Sequence, residues 1–337
     1  MAGMNIRERT EQIEHQVLSP HASFADESRG RAREEAPCAM RTAYQRDRDR
    51  VIHCNAFRRL KHKTQVFLSP EGDHYRTRLT HTLEVAQIAR TIARGLCLNE
   101  DLTEAIALAH DLGHTPFGHA GERALNAVYP QGFEHFKQSL RVVDKLEKDG
   151  RGLNLTWEVR NGIVCHTRGK EADTLEGRIV RYADKIAYIN HDIDDSIRAG
   201  VMCEADIPAA LREQLGKSKS ARINTLVISL IENSGEQIRM AQADYQAFEE
   251  LHAFMYQQVY LNPECKHEEG KAEQLVQMLY EHFCRHPEQL PSPYDKICVQ
   301  EGEQRAACDY IAGMSDFYAM RIFRKLYIPE VWEGGGQ

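Results

Sequence analysis

The chain of 337 residues lacks several features that would place it in a common class of protein. It has no run of about eighteen apolar residues, which a membrane-spanning helix requires. Residues 1–17 are polar and mixed in charge, so they lack the apolar centre of a secretion signal. We expect them to form a short amphipathic helix with Ile6, Ile13 and Val17 on one side. No internal repeat is visible.

The spacing of the nine cysteines argues against a CxxC motif and against a zinc finger. They include no CxxC pair and no zinc-finger spacing, which predicts reduced thiols in a cytoplasmic protein. The formal net charge of −7 argues against a nucleic-acid coat protein, because binding to a phosphate backbone needs a positive surface. Residues 41–63, however, contain eight Lys and Arg against two Asp and could hold a polyanion locally. We expect no membrane partner, and nucleic acid is not expected as the main partner.

Helical periodicity is present throughout the chain. Apolar residues recur at spacings of three and four in residues 88–96, 102–112 and 175–189, and no long stretch alternates with a period of two. This pattern predicts an all-α fold. Similar patterns at residues 223–242, 245–260, 271–284 and 304–326 are expected to pack against the central helices and complete a pocket.

A first candidate site residue is His81, which lies on a helical segment that is apolar around most of its circumference. A histidine in such a place is either a hydrogen-bonded core residue or a metal ligand. The segment alone favours the core residue, because most buried histidines bind nothing.

The segment HDLGHTPFGHAGE, which begins at His110 and Asp111, gives a stronger signal. A short helix is predicted to start after Asn99 and to end near Asp111, with Gly113 as a left-handed cap. The segment then combines glycines, a proline and further histidines, and rigid turns that hold polar side chains are typical of a functional site.

A third segment places polar residues on one face of a predicted helix. Gly177, Val180, Asp184, Tyr188 and Asp192 follow one another in steps of three and four, while the neighbouring faces are apolar. This arrangement favours a buried polar stripe that faces a cavity over a solvated one. Two imidazoles and two carboxylates that cannot stay buried unpaired suggest a divalent metal ion.

Together these residues resemble the HD superfamily of metal-dependent phosphohydrolases, through HDLGHTPFGHAGE and RYADKIAY. More narrowly, the chain resembles the deoxyguanosinetriphosphate triphosphohydrolase-like group, which it also matches at YQRDRDRVIHCNAFRRLKHKTQVF, FEHFKQSLRVV and DYIAGMSDFYAMRIF. The resemblance implies an N-terminal helical arm at residues 1–40, an HD core at residues 41–205 and a C-terminal helical, phosphohydrolase-associated region at residues 206–337.

The resemblance also implies a site and a reaction. The metal ligands would be His81, His110, Asp111 and Asp184, a set of nitrogen and oxygen donors that suits Mn²⁺, Mg²⁺, Fe²⁺, Ni²⁺ or Zn²⁺. Water would attack the α-phosphorus of a deoxynucleoside triphosphate, such as dGTP, and release the deoxynucleoside and tripolyphosphate.

Further roles are implied for residues around the metal. His114 and His135, with Glu122 as the orienting carboxylate, would serve proton transfer to the leaving 5′ oxygen, with His114 ranked first. The β- and γ-phosphates would be bound by Arg78, Lys185 and Arg58 or Arg59, and the sugar by Gln65, Tyr188 and Asp192.

Several alternatives stay open at this stage. Phe136 follows His135 where the family more often has a small polar residue, and His119, His135 and His166 leave a dinuclear site possible beside the preferred single metal. The reaction could instead be that of an HD phosphatase or phosphodiesterase acting on nucleoside monophosphates or cyclic dinucleotides. A non-catalytic nucleotide-sensing module is the third alternative. The resemblance further implies a homo-oligomer and a nucleotide that acts as activator.

Overall fold

A computed structural model describes residues 4–65, 76–167, 169–260 and 263–329, apart from the side chains of residues 260 and 263–267. These residues form helices joined by short connections. Within them, extended backbone pairs only at two isolated bridges, Arg31 with Thr156 and Thr64 with Thr77. The predicted all-α fold is therefore confirmed.

The α-helices follow in chain order as α1 (Ile6–Val17), α2 (Ala43–Ile52), α3 (Asn55–Arg59), α4 (Arg78–Gly95), α5 (Glu100–Ala109), α6 (Gly118–Val128), α7 (His135–Arg141), α8 (Glu147–Gly150), α9 (Trp157–Cys165), α10 (Leu175–Arg198), α11 (Ala209–Leu215), α12 (Lys219–Asn233), α13 (Gln242–Met255), α14 (Pro263–Arg285), α15 (Tyr294–Glu301), α16 (Glu303–Ala312) and α17 (Asp316–Tyr327). Turns of π-helix extend α7 at Val142–Leu146 and α13 at Tyr256–Tyr260.

Side-chain caps fix the starts of the helices that carry the candidate site. Thr77 caps α4 by accepting a hydrogen bond from the backbone of Thr80, and Thr174 caps α10 by accepting one from Gly177. The side chain of Asn99 accepts a hydrogen bond of 3.1 Å from the backbone N–H of Leu102, which confirms the predicted start of α5. The helix ends at Ala109, so His110 and Asp111 follow directly.

The buried apolar side chains form two separate cores. The first is built mainly from α2, α4, α5, α9, α10, α12 and α13, and the second mainly from α6 and α14 to α17. Residues 110–117 leave the first core at the end of α5 and enter the second at α6. The segment with the candidate histidines thus passes from one core to the other.

The N-terminal helix forms as predicted, but its apolar side does not face the protein. Ile6, Ile13 and Val17 are 58%, 54% and 58% exposed. Glu11 and Glu14 are instead buried, because Glu11 pairs with Arg7 and Glu14 accepts a hydrogen bond from the backbone of Ala25. Among the described residues, no helix has both the length and the apolar composition that crossing a bilayer needs.

Candidate active site

The four residues implied as metal ligands lie together in the structure. His81 comes from α4, His110 and Asp111 from the end of α5, and Asp184 from α10. His81 Nε2 lies 3.1 Å from Asp184 Oδ1 and 3.8 Å from Asp111 Oδ2. One potential ligand atom each from His81, His110 and Asp111 lies within 4.8 Å of the other two. Two nitrogens and two carboxylates from three helices therefore converge on one point.

The orientation of the His110 ring fits a cation. Its Nδ1 donates a hydrogen bond of 2.6 Å to the carbonyl oxygen of Ala107, so the proton of the neutral ring is on Nδ1. Its Nε2 is buried, has no hydrogen-bond partner, and lies 3.3 Å from Asp111 Oδ1 and 3.7 Å from Asp184 Oδ1. An imidazole lone pair that faces two carboxylate oxygens in the protein interior is suited to a divalent metal ion.

Without a cation, the carboxylates attract a proton to this point. Burial lowers the pKa of His110, but the charges of Asp111 and Asp184 outweigh it and raise the pKa to about 9. Burial raises the pKa of Asp111 and Asp184, and the surrounding histidines, together with Arg78 at Asp111, bring both well below the usual range. A bound cation would take the place of the proton on His110, so metal uptake would release a proton.

Arg78 lies inside the site rather than at its mouth. It is 2% exposed, and its Nη1 donates a hydrogen bond of 2.7 Å to Asp111 Oδ2. In this structure the guanidinium therefore orients the carboxylate of a candidate metal ligand, and the phosphate-binding role that the resemblance implies for Arg78 stays a prediction. The pair leaves Asp111 Oδ1 directed toward His110 and His114.

A second group of histidines borders the first. His114 Nε2 lies 3.2 Å from Asp111 Oδ1, and the His114 ring stacks on that of His135 with centroids 4.0 Å apart. Glu122 on α6 fixes His135, because Glu122 Oε1 accepts hydrogen bonds of 2.9 Å from both the backbone N–H and Nδ1. The predicted catalytic residues His114, Glu122 and His135 are thus brought together beside the candidate metal ligands.

His119 was not predicted to be a catalytic residue, but it lies next to the same carboxylate as His135, that of Glu122. Its Nδ1 lies 3.4 Å from Glu122 Oε2, and its side chain is 71% exposed. His114, in contrast, is buried, and burial together with the charge of Arg78 lowers its pKa well below the usual range. A neutral, buried ring is a poorer proton donor than an accessible one. The signal that could have found it is the spacing of three between His119 and Glu122, which places both on one face of the helix that this segment forms.

His166 keeps a dinuclear site open. Its Nδ1 donates a hydrogen bond of 2.7 Å to Ile163, and burial lowers its pKa to about 3, so the ring is neutral. His110, His166 and Asp184 form one further group with ligand atoms within 4.8 Å, and Asp111, His114 and His135 form another. The pattern allows either one cation or two.

The residues implied in substrate binding fall into two groups. Tyr188 and Asp192 follow Asp184 on α10 at intervals of one turn, and Gln65 lies beside Gly118 next to Arg78. Lys185, however, forms an ion pair with Glu249 on α13, and Arg58 lies exposed on α3. Tyr188, Asp192 and Gln65 therefore lie on or beside the elements that carry the candidate metal ligands, whereas Lys185 is paired with Glu249, and the alternative Arg59 lies 3.8 Å from Glu147.

The backbone of residues 113–118 explains why this loop needs glycine. Gly113 does not have the predicted positive φ. A Cβ atom there would instead lie 2.1 Å from the backbone nitrogen of Ser139, so close packing against α7 excludes any side chain. The left-handed residues are Phe117, with φ 63°, and Gly118, with φ 55°.

Two charged side chains hold this loop. Asp316 Oδ1 accepts a hydrogen bond of 2.9 Å from the backbone of Phe117, and Oδ2 accepts one of 2.8 Å from the backbone of Thr64. The fully buried Lys63 donates hydrogen bonds to the carbonyl oxygens of His114 and Ala312. The C-terminal helices α16 and α17 thus fix the position of the histidine loop.

The chain matches two protein families in the regions that build this site. The HD domain matches residues 78–189, and the phosphohydrolase-associated domain matches residues 238–325. The first range spans the four candidate metal ligands, and the second includes Asp316. A solved phosphohydrolase from Bacteroides thetaiotaomicron shares the fold, with a TM-score of 0.55 and 19% identity over 84% of this chain and 68% of that one.

Full-length relatives are much more similar in sequence. A deoxyguanosinetriphosphate triphosphohydrolase-like protein from Caldanaerobacter subterraneus subsp. tengcongensis is 54% identical, with 98% of each chain covered. One from Clostridium perfringens is 49% identical, with 97% of this chain and 99% of that protein covered. One from Geobacter sulfurreducens is 40% identical over 94% and 97%. The chain belongs to the family of deoxyguanosinetriphosphate triphosphohydrolase-like proteins and contains an HD domain.

Proposed function

We propose that this protein is a metal-dependent phosphohydrolase that cleaves deoxynucleoside triphosphates into the deoxynucleoside and tripolyphosphate. The observation that carries the proposal is the buried, unpartnered Nε2 of His110, which faces the carboxylates of Asp111 and Asp184. The names of its full-length relatives make dGTP the first substrate to test.

When bound, a divalent cation held by His81, His110, Asp111 and Asp184 would lower the pKa of water and neutralise charge on phosphate oxygens. Arg78 supports this arrangement by holding Asp111 Oδ2, so that Oδ1 keeps its direction. Most of the centre is buried, since His81 and His110 are 1% and 0% exposed, while the side chain of Asp184 is 20% exposed. Charge interactions at such a point are stronger than at the surface.

Proton transfer is assigned to the histidines around Glu122. The leaving 5′ oxygen of the deoxynucleoside needs a proton, which His119 delivers from the accessible side of the carboxylate. His135 and His114 stack on the opposite side, between Glu122 and Asp111. We assign both to donating hydrogen bonds to the α-phosphate.

Tyr188 and Asp192 are assigned to the sugar, as the sequence implies. They continue the line of Asp184 along α10, and Tyr188 packs edge-on against His252 of α13 with ring centroids 6.0 Å apart. A wall of this kind next to C2′ would exclude a ribonucleotide through steric crowding.

The first experiment measures nucleoside and tripolyphosphate release from the four dNTPs, singly and in pairs, with Mn²⁺, Mg²⁺, Fe²⁺, Ni²⁺ or Zn²⁺. Pairs are included because one nucleotide could be needed as an activator for another. Equal amounts of nucleoside and tripolyphosphate support the proposal. Orthophosphate from a nucleoside monophosphate or cleavage of a cyclic dinucleotide would support the phosphatase or phosphodiesterase instead, and tight binding without turnover would support a sensor.

Hydrolysis in ¹⁸O-labelled water tests the position of attack. Attack at the α-phosphorus puts the label in tripolyphosphate and leaves the nucleoside unlabelled. Label in the nucleoside would contradict the assignment.

Variants of His119 and His114 test which of these two histidines donates the proton. His119→Ala is expected to lower the rate by about a hundredfold, the usual contribution of a general acid. A matched control is His286→Ala, which removes an equally simple surface pair, with Nδ1 of His286 3.2 Å from Glu288, away from the site. If His114→Ala lost the rate and His119→Ala did not, the original ranking of His114 would be restored.

A further inference from the structure

One buried histidine near the centre has no role in the proposed reaction. His191 lies on α10, seven residues beyond Asp184, and is 1% exposed. Its Nδ1 lies 3.4 Å from His81 Nδ1, and its Nε2 lies 2.9 Å from Glu84 Oε2. His81, His191 and Glu84 thus form a continuous hydrogen-bonded chain that begins at a candidate metal ligand and ends at a partly exposed carboxylate.

The geometry points to Glu84 and His191 as positioning residues that set the tautomer of His81 so that its Nε2 is free to bind the cation. The inference rests on the metal site of the proposed function and concerns this chain's own residues around it. Nothing in the reaction described above requires either residue to touch the substrate.

Counting protons fixes the direction of the chain. A neutral imidazole carries one N–H, so a lone pair on His81 Nε2 requires the proton on Nδ1. That proton can then be donated only to the lone pair of His191 Nδ1, which places the proton of His191 on Nε2. This second proton is donated to the carboxylate of Glu84, which accepts and cannot donate.

The reverse arrangement is unfavourable. A proton on His191 Nδ1 would leave the Nε2 lone pair facing the carboxylate of Glu84 at 2.9 Å, with no hydrogen between the two acceptors. It would also move the proton of His81 to Nε2, which faces Asp184, and would block a cation there. The carboxylate at one end therefore selects the tautomers of both rings.

Glu84 is itself held in place. Its carboxylate accepts a hydrogen bond of 3.2 Å from Arg76 Nε and lies 3.8 Å from Lys219 Nζ on α12. Partial burial raises its pKa, but the hydrogen bond from His191 and the charge of Arg76 lower it to about 2. The acceptor at the end of the chain is thus an anion with a fixed position.

His81 differs in this respect from the other central histidines. The outer Nδ1 of His110 and of His166 donates to a carbonyl oxygen of its own helix, from Ala107 and Ile163. A backbone acceptor is present whatever the side chains are, whereas His81 depends on a side chain from another helix. The tautomer of His81 can therefore be changed by substituting its side-chain partner, without altering a candidate metal ligand.

The test is a titration of the metal-stripped full-length protein with Mn²⁺, followed by the loss of the free-ion signal in electron paramagnetic resonance. His191→Phe removes the acceptor for His81 and is expected to weaken Mn²⁺ binding by about 10–100-fold, as loss of such an outer partner does. His191→Asn is the matched variant, because its Oδ1 can occupy the place of Nδ1 and accept the same proton. It should recover most of the affinity.

Variants of Glu84 provide an independent test. Glu84→Ala is expected to weaken Mn²⁺ binding by about tenfold, and Glu84→Gln, whose carbonyl oxygen can still accept from His191, by less. Thermal melting of each metal-free variant separates positioning from packing.

Equal Mn²⁺ affinity in wild type and His191→Phe would overturn the inference while leaving the proposed function intact. Equal losses in His191→Phe and His191→Asn, accompanied by lower metal-free melting temperatures, would assign His191 to packing and also overturn it. A wild-type protein that takes up no Mn²⁺ would overturn both the inference and the metal site on which it rests.

Discussion

The protein buries acidic side chains in several places, and two of these sets have partners that differ in kind. The arm carboxylates, Glu14, Asp47, Glu158 and Glu176, lie where residues 14–31 pack against α2, α9 and α10. The site carboxylates are Asp111 and Asp184. Burial does not distinguish Glu176 from Asp111, since they are 0% and 3% exposed, while the side chain of Asp184 is 20% exposed.

The arm carboxylates are paired mainly with backbone and hydroxyl groups. Glu176 accepts hydrogen bonds from the backbone of Ser23 and Asn99 at 2.9 and 3.1 Å, and from the Ser23 hydroxyl at 3.0 Å. Glu158 accepts from the backbone of Arg29 and the Ser28 hydroxyl, both at 2.7 Å. Such carboxylates join one segment to another and leave nothing to bind.

The site carboxylates are surrounded by imidazoles, and this set is incomplete. His110 Nε2 and His114 Nδ1 are buried nitrogens without a hydrogen-bond partner. An unpaired buried polar atom costs free energy, and two such nitrogens beside buried carboxylates favour a bound cation. The comparison teaches that imidazole nitrogens gathered around carboxylates, two of them without partners, mark the functional cluster, since single unpartnered atoms also occur elsewhere, as at Thr156 Oγ1 and Tyr280 Oη.

The largest effect is expected from the site cluster, in which buried nitrogens lack a hydrogen-bond partner. His110→Ala removes the unpartnered nitrogen and is expected to lower dGTP hydrolysis on the order of a thousandfold, with loss of bound metal. The measurement is nucleoside release per folded molecule, combined with metal content by atomic emission. Retention of wild-type activity in this variant would end the distinction between the two sets.

The second largest effect is expected from the arm carboxylates, whose oxygens already accept hydrogen bonds from the protein. Glu176→Ala leaves the backbone N–H groups of Ser23 and Asn99 without an acceptor in the protein interior, and should lower the free energy of unfolding by about 3 kcal/mol. Activity per folded molecule should stay unchanged. Urea unfolding measures the first quantity and nucleoside release the second.

Glu176→Gln is the matched control for this change. Its carbonyl oxygen can still accept from both backbone groups, and its amide can donate to the Ser23 hydroxyl. A loss of stability as large as that of Glu176→Ala would show that charge, and not the acceptor, matters at this position.

Much of the fold could be predicted because it depends on local rules. Apolar spacing placed α4, α5 and α10, and Asn99 marked the start of α5. The side of α1 that faces the protein could not be predicted. Glu14 is drawn inward by the backbone of Ala25, and such a partner is invisible to periodicity within the helix.

The site, too, could be predicted only in part. The resemblance placed His81, His110, Asp111 and Asp184 together, although the segment around His81 alone favoured a core residue. The partner of Arg78 is a carboxylate 33 positions later, and that of Lys185 is Glu249, 64 positions later. These pairings are decided by helix packing, so spacing along the chain did not reveal them.

A third, smaller effect tests whether the second core supports the site. Asp316→Asn keeps the size of the side chain but replaces one acceptor oxygen with a donor, so it cannot hold both Phe117 and Thr64. Displacement of the loop that carries His114 is expected to lower the rate by about tenfold, since small shifts of catalytic groups are costly. Steady-state kinetics on a protein with unchanged far-ultraviolet circular dichroism would check this.

The smallest effect concerns Glu14 and its dependence on pH. Burial raises its pKa to about 7, despite the hydrogen bond from Ala25 that lowers it, so the folded protein binds a proton that the unfolded chain releases near its ordinary pKa of 4.5. Stability from this group is complete below that ordinary value and is lost as the pH rises through about 7. Glu14→Gln keeps the acceptor for Ala25 and carries no charge. Its advantage in unfolding free energy over wild type should grow by about 1–2 kcal/mol between about pH 5 and about pH 8 in urea titrations. An advantage that is the same at both pH values would show that the folded protein does not retain the proton on Glu14 near neutral pH, and would contradict the raised pKa.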